Sequence, residues 1–340
     1  MFSLAFGIGT KSADGQWLEV YYPRPLLNPA AELTQAIVGV IGAGSGNRCV
    51  EPDHTQLQAL STALASVDAE LAELCATLAN SIKPIVLTLL EEDSKPASVP
   101  EVYLKLHLLS HRLVRPHSVN LDGMFGVLPN VAWTSEGAIA ISELPAAQLK
   151  ARLAGKPLEV NSVDKFPKMT DYVVPAGVRI ADTARVRLGA YIGEGTTIMH
   201  EGFVNFNAGT EGPAMIEGRI SAGVFVDASS DLGGGCSILG TLSGGNKTVI
   251  SVGKNCLIGA NAGLGIPLGD RCTIEAGLYL TAGTKVSMLD KDGKEVRVCK
   301  ALELANVSDL LFRRNSQSGR VECLTNKSEI ELNAELHSHN

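Results

Sequence analysis

The chain has 340 residues, of which 45% are hydrophobic, 19% charged and 5% aromatic, and it carries a net charge of −7 at neutral pH. This length suits two or three domains, and the apolar share excludes a largely disordered chain. The negative charge would repel a polyanion, which argues against a nucleic-acid partner.

No segment approaches the roughly 18 consecutive apolar residues of a membrane span. The apolar stretch from Met1 to Thr10 lacks the basic leading region of an export signal. We therefore expect no membrane partner and a cytoplasmic protein.

Residues 1–150 are predicted to form an N-terminal α/β domain. Trp17 to Tyr22 is predicted to be a strand, and leucines at helical spacing predict one long helix from Gln56 to Ile82. A second helix is predicted from Pro100 to Val114, because proline suits the first turn of a helix.

Two motifs in this domain are given structural interpretations. Gly42 to Gly46 resembles a dinucleotide-binding loop but lacks the third glycine of that motif, and a poor helix start follows it. We interpret it as a plain loop. His107 and His111 lie one helical turn apart, as metal ligands would, but no glutamate stands between them as a zinc protease requires. We interpret them as surface or core histidines.

From Ile180 to Val286 an aliphatic residue returns every six positions, with a small residue four positions later in most hexads. The aliphatic positions are Ile180, Val186, Ile192, Ile198, Val204, Ile220, Val226, Leu232, Ile238, Val252, Ile258, Leu264 and, after a phase shift, Leu268, Ile274, Leu280 and Val286. This hexapeptide period predicts a parallel β-helix, in which each hexad forms one face of a triangular coil and its aliphatic residue points inward. Such a coil is mostly found in acyltransferases.

The hexad phase breaks at residues 207–215 and 240–248, and we predict that both are loops projecting from the coil. Beyond the coil, Asp290 to Glu295 is predicted to be a hairpin turn and Val296 to Leu304 a strand. We therefore divide the remaining chain into a linker with the β-helix, 151–288, and a C-terminal hairpin and tail, 289–340.

Three of the seven cysteines, Cys236, Cys256 and Cys272, fall on small-residue positions of the coil and are predicted to be packed thiols. The absence of any CxxC pair argues against structural zinc and against a disulfide framework.

Several segments of the coil and its C-terminal extension carry polar groups where a structural coil needs only small residues. They are Met199 to Thr210, Met215 to Ser221, Gly240 to Gly245, Gly259 to Gly265 and Leu311 to Ser316. Together they closely resemble the tetrahydrodipicolinate N-succinyltransferases, in the longer form found in actinobacteria and some proteobacteria. The resemblance covers nearly all of residues 165–320.

The resemblance implies a mainly β protein: a left-handed β-helix preceded by the α/β domain and assembled as a homotrimer. It also implies an activity of lysine and diaminopimelate biosynthesis. The amine of 2-amino-6-oxopimelate, the opened form of tetrahydrodipicolinate, attacks the thioester of succinyl-CoA. N-succinyl-2-amino-6-oxopimelate and CoA result.

By the same resemblance, Glu217 is the catalytic carboxylate, either a general base or a nucleophile that passes through an acyl anhydride. The alternative is a structural ion pair between Glu217 and neighbouring Arg219. The implied acyl-CoA site comprises Arg219, Gly234, Ser237, Ala260, Glu275, Ala276, Gly283, Lys300, Arg313, Arg314, Asn315 and Ser316. Small residues would let the pantetheine arm lie along the coil, while Lys300, Arg313 and Arg314 would supply charge for its phosphates.

The resemblance further places Glu201 where the family can hold Mg²⁺ on the three-fold axis. Ala184 stands where some relatives have an acidic residue, although Asp182 is two positions away. Two other functions stay open. A CoA-dependent O- or N-acetyltransferase of this class would use His200 as its base. A non-catalytic or zinc-binding β-helix would need three histidines, whereas His200 is the only one in the coil.

Overall fold

The computed structural model describes residues 1–242 and 248–325, which belong to two compact units. The N-terminal unit consists of Met1–Val114, Ser118–Pro167 and Asp171–Val173. The coil unit consists of Arg115–His117, Lys168–Thr170 and the chain from Val174 onward. The predicted division at residues 150 and 288 stays a prediction.

An antiparallel five-stranded sheet forms the centre of the N-terminal unit. Its strands are Ser3–Lys11, Trp17–Tyr21, Leu26–Leu27, Arg48–Val50 and Ile85–Leu90. Strand Ile85–Leu90 is buried along its whole length, as its run of apolar residues requires. A second antiparallel sheet consists of Val131–Thr134, Gly137–Ala140 and Val160–Asp164.

Six helices accompany these sheets among the described residues. They are Ala31–Ile41, His54–Leu64, Ala69–Leu78, Val99–Ser110, Met124–Val127 and Leu144–Leu153. Leucines of the first three helices share one core with Leu4, Phe6, Leu87 and Leu89 of the central sheet. In the described part of the chain, no helix combines the length and the apolar character that a bilayer crossing requires.

The prediction of one long helix over residues 56–82 is wrong. The chain turns between Leu64 and Ala69, and Asp68 caps the second helix by accepting a hydrogen bond from the Leu71 amide at 3.0 Å. Both helices face the same core, so the leucine stripe continues across the break. The later helix has Pro100 in its first turn, as predicted, but it ends at Ser110 rather than Val114.

The structural interpretations of the two motifs are confirmed. The chain from Gly42 to Asn47 is an irregular connection between helix Ala31–Ile41 and strand Arg48–Val50. His107 is fully buried. Its Nε2 accepts a hydrogen bond from the Tyr22 amide at 3.2 Å, so its Nδ1 donates to the Tyr103 carbonyl at 2.7 Å. Burial lowers the pKa of His107 to about 3.

The coil unit has three parallel faces, as the hexapeptide period predicts for the left-handed β-helix. The first face has Arg179–Ile180, Thr196–Ile198, Ala214–Ile216, Asp231–Leu232, Leu257–Ile258 and Thr273–Ile274. The second has Phe203–Val204, Arg219–Ile220, Ser237–Ile238, Gly263–Gly265 and Tyr279–Thr281. The third has Tyr191–Ile192, Gly209–Thr210, Phe225–Val226 and Ser251–Val252.

Aliphatic side chains of successive coils stack in columns inside the coil. On the first face the register pairs Ile198 with Ile216, Leu232, Ile258 and Ile274 in turn, and all five are buried. Neighbouring parallel strands lie roughly 4.8 Å apart, so each coil adds a layer of that height. The core is therefore built one layer at a time.

The prediction of a projecting loop over residues 207–215 is wrong. Gly209–Thr210 and Ala214–Ile216 are strands of the coil, and Thr210 occupies the inward hexad position. Its hydroxyl lies 2.8 Å from that of Thr196, so each buried hydroxyl has a partner. The phase changes instead between Ile216 and Ile220, which are four positions apart rather than six.

The second interruption is a true insertion. Ile238 and Val252 are fourteen positions apart instead of six, and Thr241 and Val249 form an antiparallel bridge across the added chain. Residues 243–247, which include Ser243, Gly244 and Gly245 of the family resemblance, lie outside the described residues.

The C-terminal part contains the predicted hairpin. Its strands are Lys285–Leu289 and Glu295–Lys300, followed by a 3₁₀ turn at Ala301–Leu304 where a longer strand was predicted. Strand Leu310–Arg314 then returns to the first face and pairs with Thr273–Ile274, and Val321–Thr325 pairs with both Leu310–Arg314 and Lys285–Leu289. Cys236, Cys256 and Cys272 are buried free thiols, as predicted.

Candidate active site

One corner of the coil brings together a large part of the predicted site. We call it the Glu217 corner; it joins the first face to the second and consists of Glu201–Gly202, Glu217–Gly218, Gly234–Gly235, Ala260–Asn261 and Ala276–Gly277. Backbone hydrogen bonds stack these turns from coil to coil. They run from Gly235 N to Glu217 O (3.2 Å), Asn261 N to Gly234 O (2.8 Å) and Gly277 N to Ala260 O (2.8 Å).

Glu217 lies where the corner is two residues shorter than in the regular repeat, because Ile216 and Ile220 are four positions apart instead of six. Its side chain is half-buried. Its Oε2 is 3.7 Å from the position that a Cβ on Gly234 would occupy, so the missing side chain leaves space over the carboxylate. Within residues 1–242 and 248–325, the carboxylate has no hydrogen-bond or ion-pair partner, and the alternative ion pair with Arg219 is not formed. An unpaired carboxylate at an open corner can accept a proton or attack a thioester.

Arg219 and Ser237 are neighbours on the second face, next to this corner. Their Cα atoms are in register, and Arg219 Nη2 donates a hydrogen bond to Ser237 Oγ at 2.6 Å. Arginine has five N–H donors, so this bond fixes the guanidinium and leaves donors for a ligand. A fixed, exposed guanidinium suits a carboxylate, which it can bind through two oxygens.

Cys236 packs behind the same corner. A Cβ on Gly218 would lie 2.3 Å from the Cys236 sulfur. Any larger residue at this position would therefore clash with the thiol. Burial raises the pKa of Cys236 to about 12, which favours the protonated thiol at neutral pH.

The far end of the corner is linked to the C-terminal strands. Glu275 Oε2 accepts a hydrogen bond from the Arg314 amide at 2.6 Å, directly beside Ala276. Arg313 Nε donates to one oxygen of Glu322 at 3.0 Å, and Asn315 Nδ2 donates to the other at 2.7 Å. Arg313 therefore has an acidic partner, contrary to the sequence-based expectation of a charge free for phosphate.

Gly283 and Lys300 come together at one end of the hairpin. The Ala301 amide donates to the Thr284 carbonyl at 2.8 Å, which places Lys300 beside the turn that contains Gly283. A Cβ on Gly283 would meet open space, and Lys300 is exposed. Ser316 lies in the turn at 316–318. No hydrogen bond among the described residues connects Ser316 to the Glu217 corner.

His200 and Glu201 lie on this corner one coil before Glu217. His200 Nδ1 is 2.8 Å from Glu201 Oε1, and both side chains are largely exposed. The residues that the structure describes contain no group of three His, Cys, Asp or Glu side chains able to hold a metal. Asp182 is engaged locally, since its Oδ1 accepts a hydrogen bond from the Ala184 amide at 3.0 Å. A single chain thus offers one exposed carboxylate for the predicted Mg²⁺ site.

Asn261 also lies at this corner, although it is not among the predicted site residues. It has a φ of +55°, in the left-handed region, and its Oδ1 lies 2.4 Å from the position of a Cβ on Gly235. Asparagine tolerates that conformation better than most residues. Its place directly after Ala260, three positions after the inward Ile258, was the available signal.

A coil of stacked hexads with a half-buried carboxylate at an open corner is typical of a hexapeptide-repeat acyltransferase. Three family models match the chain. They are the hexapeptide repeat of succinyl-transferase over residues 249–282, and the middle and N-terminal parts of tetrahydrodipicolinate N-succinyltransferase over 128–168 and 47–126.

Full-length relatives agree. Proteins named 2,3,4,5-tetrahydropyridine-2,6-dicarboxylate N-succinyltransferase from Pseudomonas paraeruginosa and Vibrio cholerae are 66% and 58% identical, over 100% of this chain and 99% of each relative. A crystal structure from Campylobacter jejuni, described as a 2,3,4,5-tetrahydropyridine-2-carboxylate N-succinyltransferase, superposes with a TM-score of 0.89. Its identity is 32%, over 96% of this chain and 92% of that one. The chain belongs to the tetrahydrodipicolinate N-succinyltransferase family.

Proposed function

We propose that this chain transfers the succinyl group of succinyl-CoA to the amine of 2-amino-6-oxopimelate, in lysine and diaminopimelate biosynthesis. The observation that carries this proposal is the unpaired Glu217 carboxylate at an open corner of the coil. It occurs in a chain 66% identical over its full length to a protein named for this transfer.

The reaction needs little machinery because a thioester is already activated. The amine nitrogen attacks the thioester carbon, a proton leaves the nitrogen, and the C–S bond breaks to release CoA. As a base, Glu217 takes that proton. As a nucleophile, it first forms a succinyl anhydride with release of CoA, and the amine then attacks the anhydride.

A single-turnover experiment without acceptor separates these two roles. Enzyme at high concentration is mixed with succinyl-CoA alone, and free thiol is measured. A nucleophilic Glu217 releases close to one thiol per site before any amine is added, whereas a basic Glu217 releases none.

The acyl-CoA is proposed to lie along the Glu217 corner. Gly234, Ala260 and Ala276 present backbone with little side chain over three coil steps from Glu217, a span of roughly 14 Å. This row suits an elongated arm, with Lys300 and Arg314 near its phosphate end. Arg219, beside the carboxylate, suits the free carboxylate of the succinyl group.

The choice of acyl group is tested by thiol release with succinyl-CoA and with acetyl-CoA, at equal amine concentration. We expect kcat/KM to favour succinyl-CoA. Arg219→Ala should reduce that preference, because acetyl-CoA has no carboxylate for Arg219 to bind. A wild-type preference for acetyl-CoA would favour the acetyltransferase alternative.

We further infer a cytoplasmic homotrimer with Mg²⁺ held by Glu201 of three subunits. The support is the family resemblance and the exposed position of Glu201, which could meet its copies on a three-fold axis. Sedimentation tests the trimer. Metal analysis of wild type and Glu201→Gln, both purified with Mg²⁺, tests the ion, and equal metal content in the two would reject this site.

A further inference from the structure

Tyr279 stands in the proposed acyl-CoA site, at a position to which the family resemblance assigns no role. Along the chain it lies between Ala276 and Gly283. Across the second face it belongs to one outward column with Arg219, Ser237 and Gly263, each in register with the next coil.

The Tyr279 side chain leans back over the preceding coil. A Cβ built on Gly263 would stand 2.3 to 2.4 Å from three carbons of the Tyr279 ring, so the ring lies directly on the Gly263 backbone. Gly263 is thereby buried, while Tyr279 itself stays 47% exposed. The glycine is thus required by the ring rather than by a turn.

Arg219 leans the opposite way. It reaches forward one coil to bond Ser237, while Tyr279 reaches back one coil to cover Gly263. Ser237 and Gly263 are consecutive in the column, so the two side chains approach each other from opposite ends. In the described parts of the chain no cation–π contact joins them, and the Tyr279 hydroxyl has no hydrogen-bond partner.

We propose that Tyr279 is a further acyl-CoA-binding residue, whose ring supports the apolar part of the pantetheine arm. This inference rests on the proposed function. A flat, half-exposed ring beside an open backbone row gives methylene and methyl groups a surface to pack on. Its free hydroxyl can bond an amide of the arm. Arg219 then lies at the acyl end of the site, and Tyr279 lies three coils further along the pantetheine arm.

The test is steady-state kinetics of Tyr279→Ala with each substrate varied in turn. We expect the KM for succinyl-CoA to rise roughly tenfold, because an apolar contact surface is lost. We expect kcat and the KM for the amine to change less than about threefold, since the ring takes no part in proton transfer. Tyr279→Phe keeps the ring and should stay within about threefold of wild type.

Tyr191→Ala is the matched control. It removes the same side chain from an outward position on the third face of the coil, and we expect the KM for succinyl-CoA to be unchanged. Sedimentation of both variants checks that assembly is preserved, so that a purely structural effect of Tyr279 can be recognised.

Gly263→Ala tests the same contact without removing the ring. Its new methyl group must displace the Tyr279 ring, so this variant should raise the KM for succinyl-CoA as Tyr279→Ala does. The double variant should be no worse than the single ones, because one contact cannot be lost twice. Additive effects would show that Gly263 and Tyr279 act separately, against the proposal.

The failure of this inference differs from failure of the proposed function. If wild type uses succinyl-CoA and Tyr279→Ala assembles normally with an unchanged KM, Tyr279 does not bind the arm. If wild type fails to use succinyl-CoA at all, the proposed function falls, and the inference falls with it.

Discussion

The two units place their polar groups in opposite ways. The N-terminal unit buries a paired charge: Lys105 is fully buried, and its ammonium contacts Asp93 Oδ1 (2.6 Å) and the carbonyls of Ser94 (2.5 Å) and Asn120 (2.8 Å). The coil unit fills its interior mostly with aliphatic and small side chains and carries its charges outside. In a globular unit buried polar groups can fix the fold, whereas the coil can carry an outward polar group such as Glu217 that its core does not need.

This difference follows from the repeat. Each coil contributes one inward residue per face, and stacking satisfies the backbone of neighbouring coils. An outward residue at a corner, such as Glu217, is therefore not needed for the core. Exchanging it should change activity and spare stability, while exchanging Lys105 should do the reverse.

The largest effect is expected for Glu217→Gln. Loss of the base or nucleophile should reduce kcat by at least about 10²-fold. The amide keeps the size of the carboxylate, so the thermal midpoint and CoA affinity should match wild type. Turnover by thiol release and CoA binding by calorimetry check both parts. Turnover within a few-fold of wild type would make Glu217 a structural residue.

Lys105→Met tests the opposite case. Removing the buried ammonium takes the ion pair from Asp93, which keeps the Asn120 amide as a donor, and a hydrogen bond from each of two carbonyls. This should cost the N-terminal unit about 3 kcal/mol of unfolding free energy. Both tryptophans of the chain, Trp17 and Trp133, lie in that unit, so their fluorescence during urea unfolding reports on it.

Lys150→Met is the control for this substitution, because Lys150 is exposed. We expect its urea midpoint to lie close to that of wild type, within about 0.5 kcal/mol. A similarly small change for Lys105→Met would mean that the buried pair contributes little to stability.

The pH dependence of the N-terminal unit should be dominated by His107. Its pKa is lowered from 6.5 to about 3 by burial, so below pH 6.5 the unfolded chain gains a proton that the folded chain does not. Stability from this group is full above pH 6.5 and falls by about 1.4 kcal/mol per pH unit as the pH drops towards 3. His111, whose pKa burial also lowers, acts in the same direction.

Glu19 acts in the opposite direction. Burial raises its pKa above 4.5, so its stabilising contribution is present at low pH and is lost as the pH rises through the folded value. His107→Phe keeps Glu19 and His111 and removes the part of the pH dependence of the unfolding free energy that comes from His107. Between pH 6.5 and 5.5 the unfolding free energy of wild type should fall by about 1 kcal/mol more than that of this variant, because the unfolded imidazole is already half protonated at pH 6.5. Parallel pH profiles would contradict this assignment.

The sequence predicted the coil well because its signal is local and repeated. Stacking one hexad column on the next brings Gly234, Ala260 and Ala276 into line with Glu217, and the structure contains that line. The hexad pattern did not predict the inward position that is polar, because a distant residue supplies that side chain with its hydrogen bond. Thr210 is polar yet points inward, because Thr196 in the adjacent corner supplies its hydrogen bond.

Two further features could not be predicted from local patterns. The leucine stripe that suggested one helix belongs to two, because both pack on the same core and only the cap at Asp68 marks the break. The pairing of Arg313 with Glu322 depends on the register of two antiparallel strands, which the composition of either strand does not determine.

The pairing of Arg313 with Glu322 bears on the prediction with the smallest expected effect, which concerns phosphate binding at the C-terminal strands. Among the described residues the Lys300 ammonium forms no salt bridge, since Glu303 accepts from the Lys300 backbone amide at 2.9 Å, whereas the Arg313 guanidinium is engaged by Glu322. Lys300→Ala should therefore raise the KM for succinyl-CoA by roughly tenfold, the low end expected for a charged hydrogen bond, with kcat nearly unchanged.

Arg313→Ala should raise the KM for succinyl-CoA less than Lys300→Ala does, because part of the arginine charge is already neutralised by Glu322. The Lys300 effect should shrink as the salt concentration rises, since ions screen exposed phosphate contacts. Kinetics at two salt concentrations, with succinyl-CoA varied, measure both variants. If Arg313→Ala has the larger effect, phosphate binding must displace Glu322 from Arg313. If neither KM changes, the C-terminal strands do not hold the phosphates, and binding depends on the coil alone.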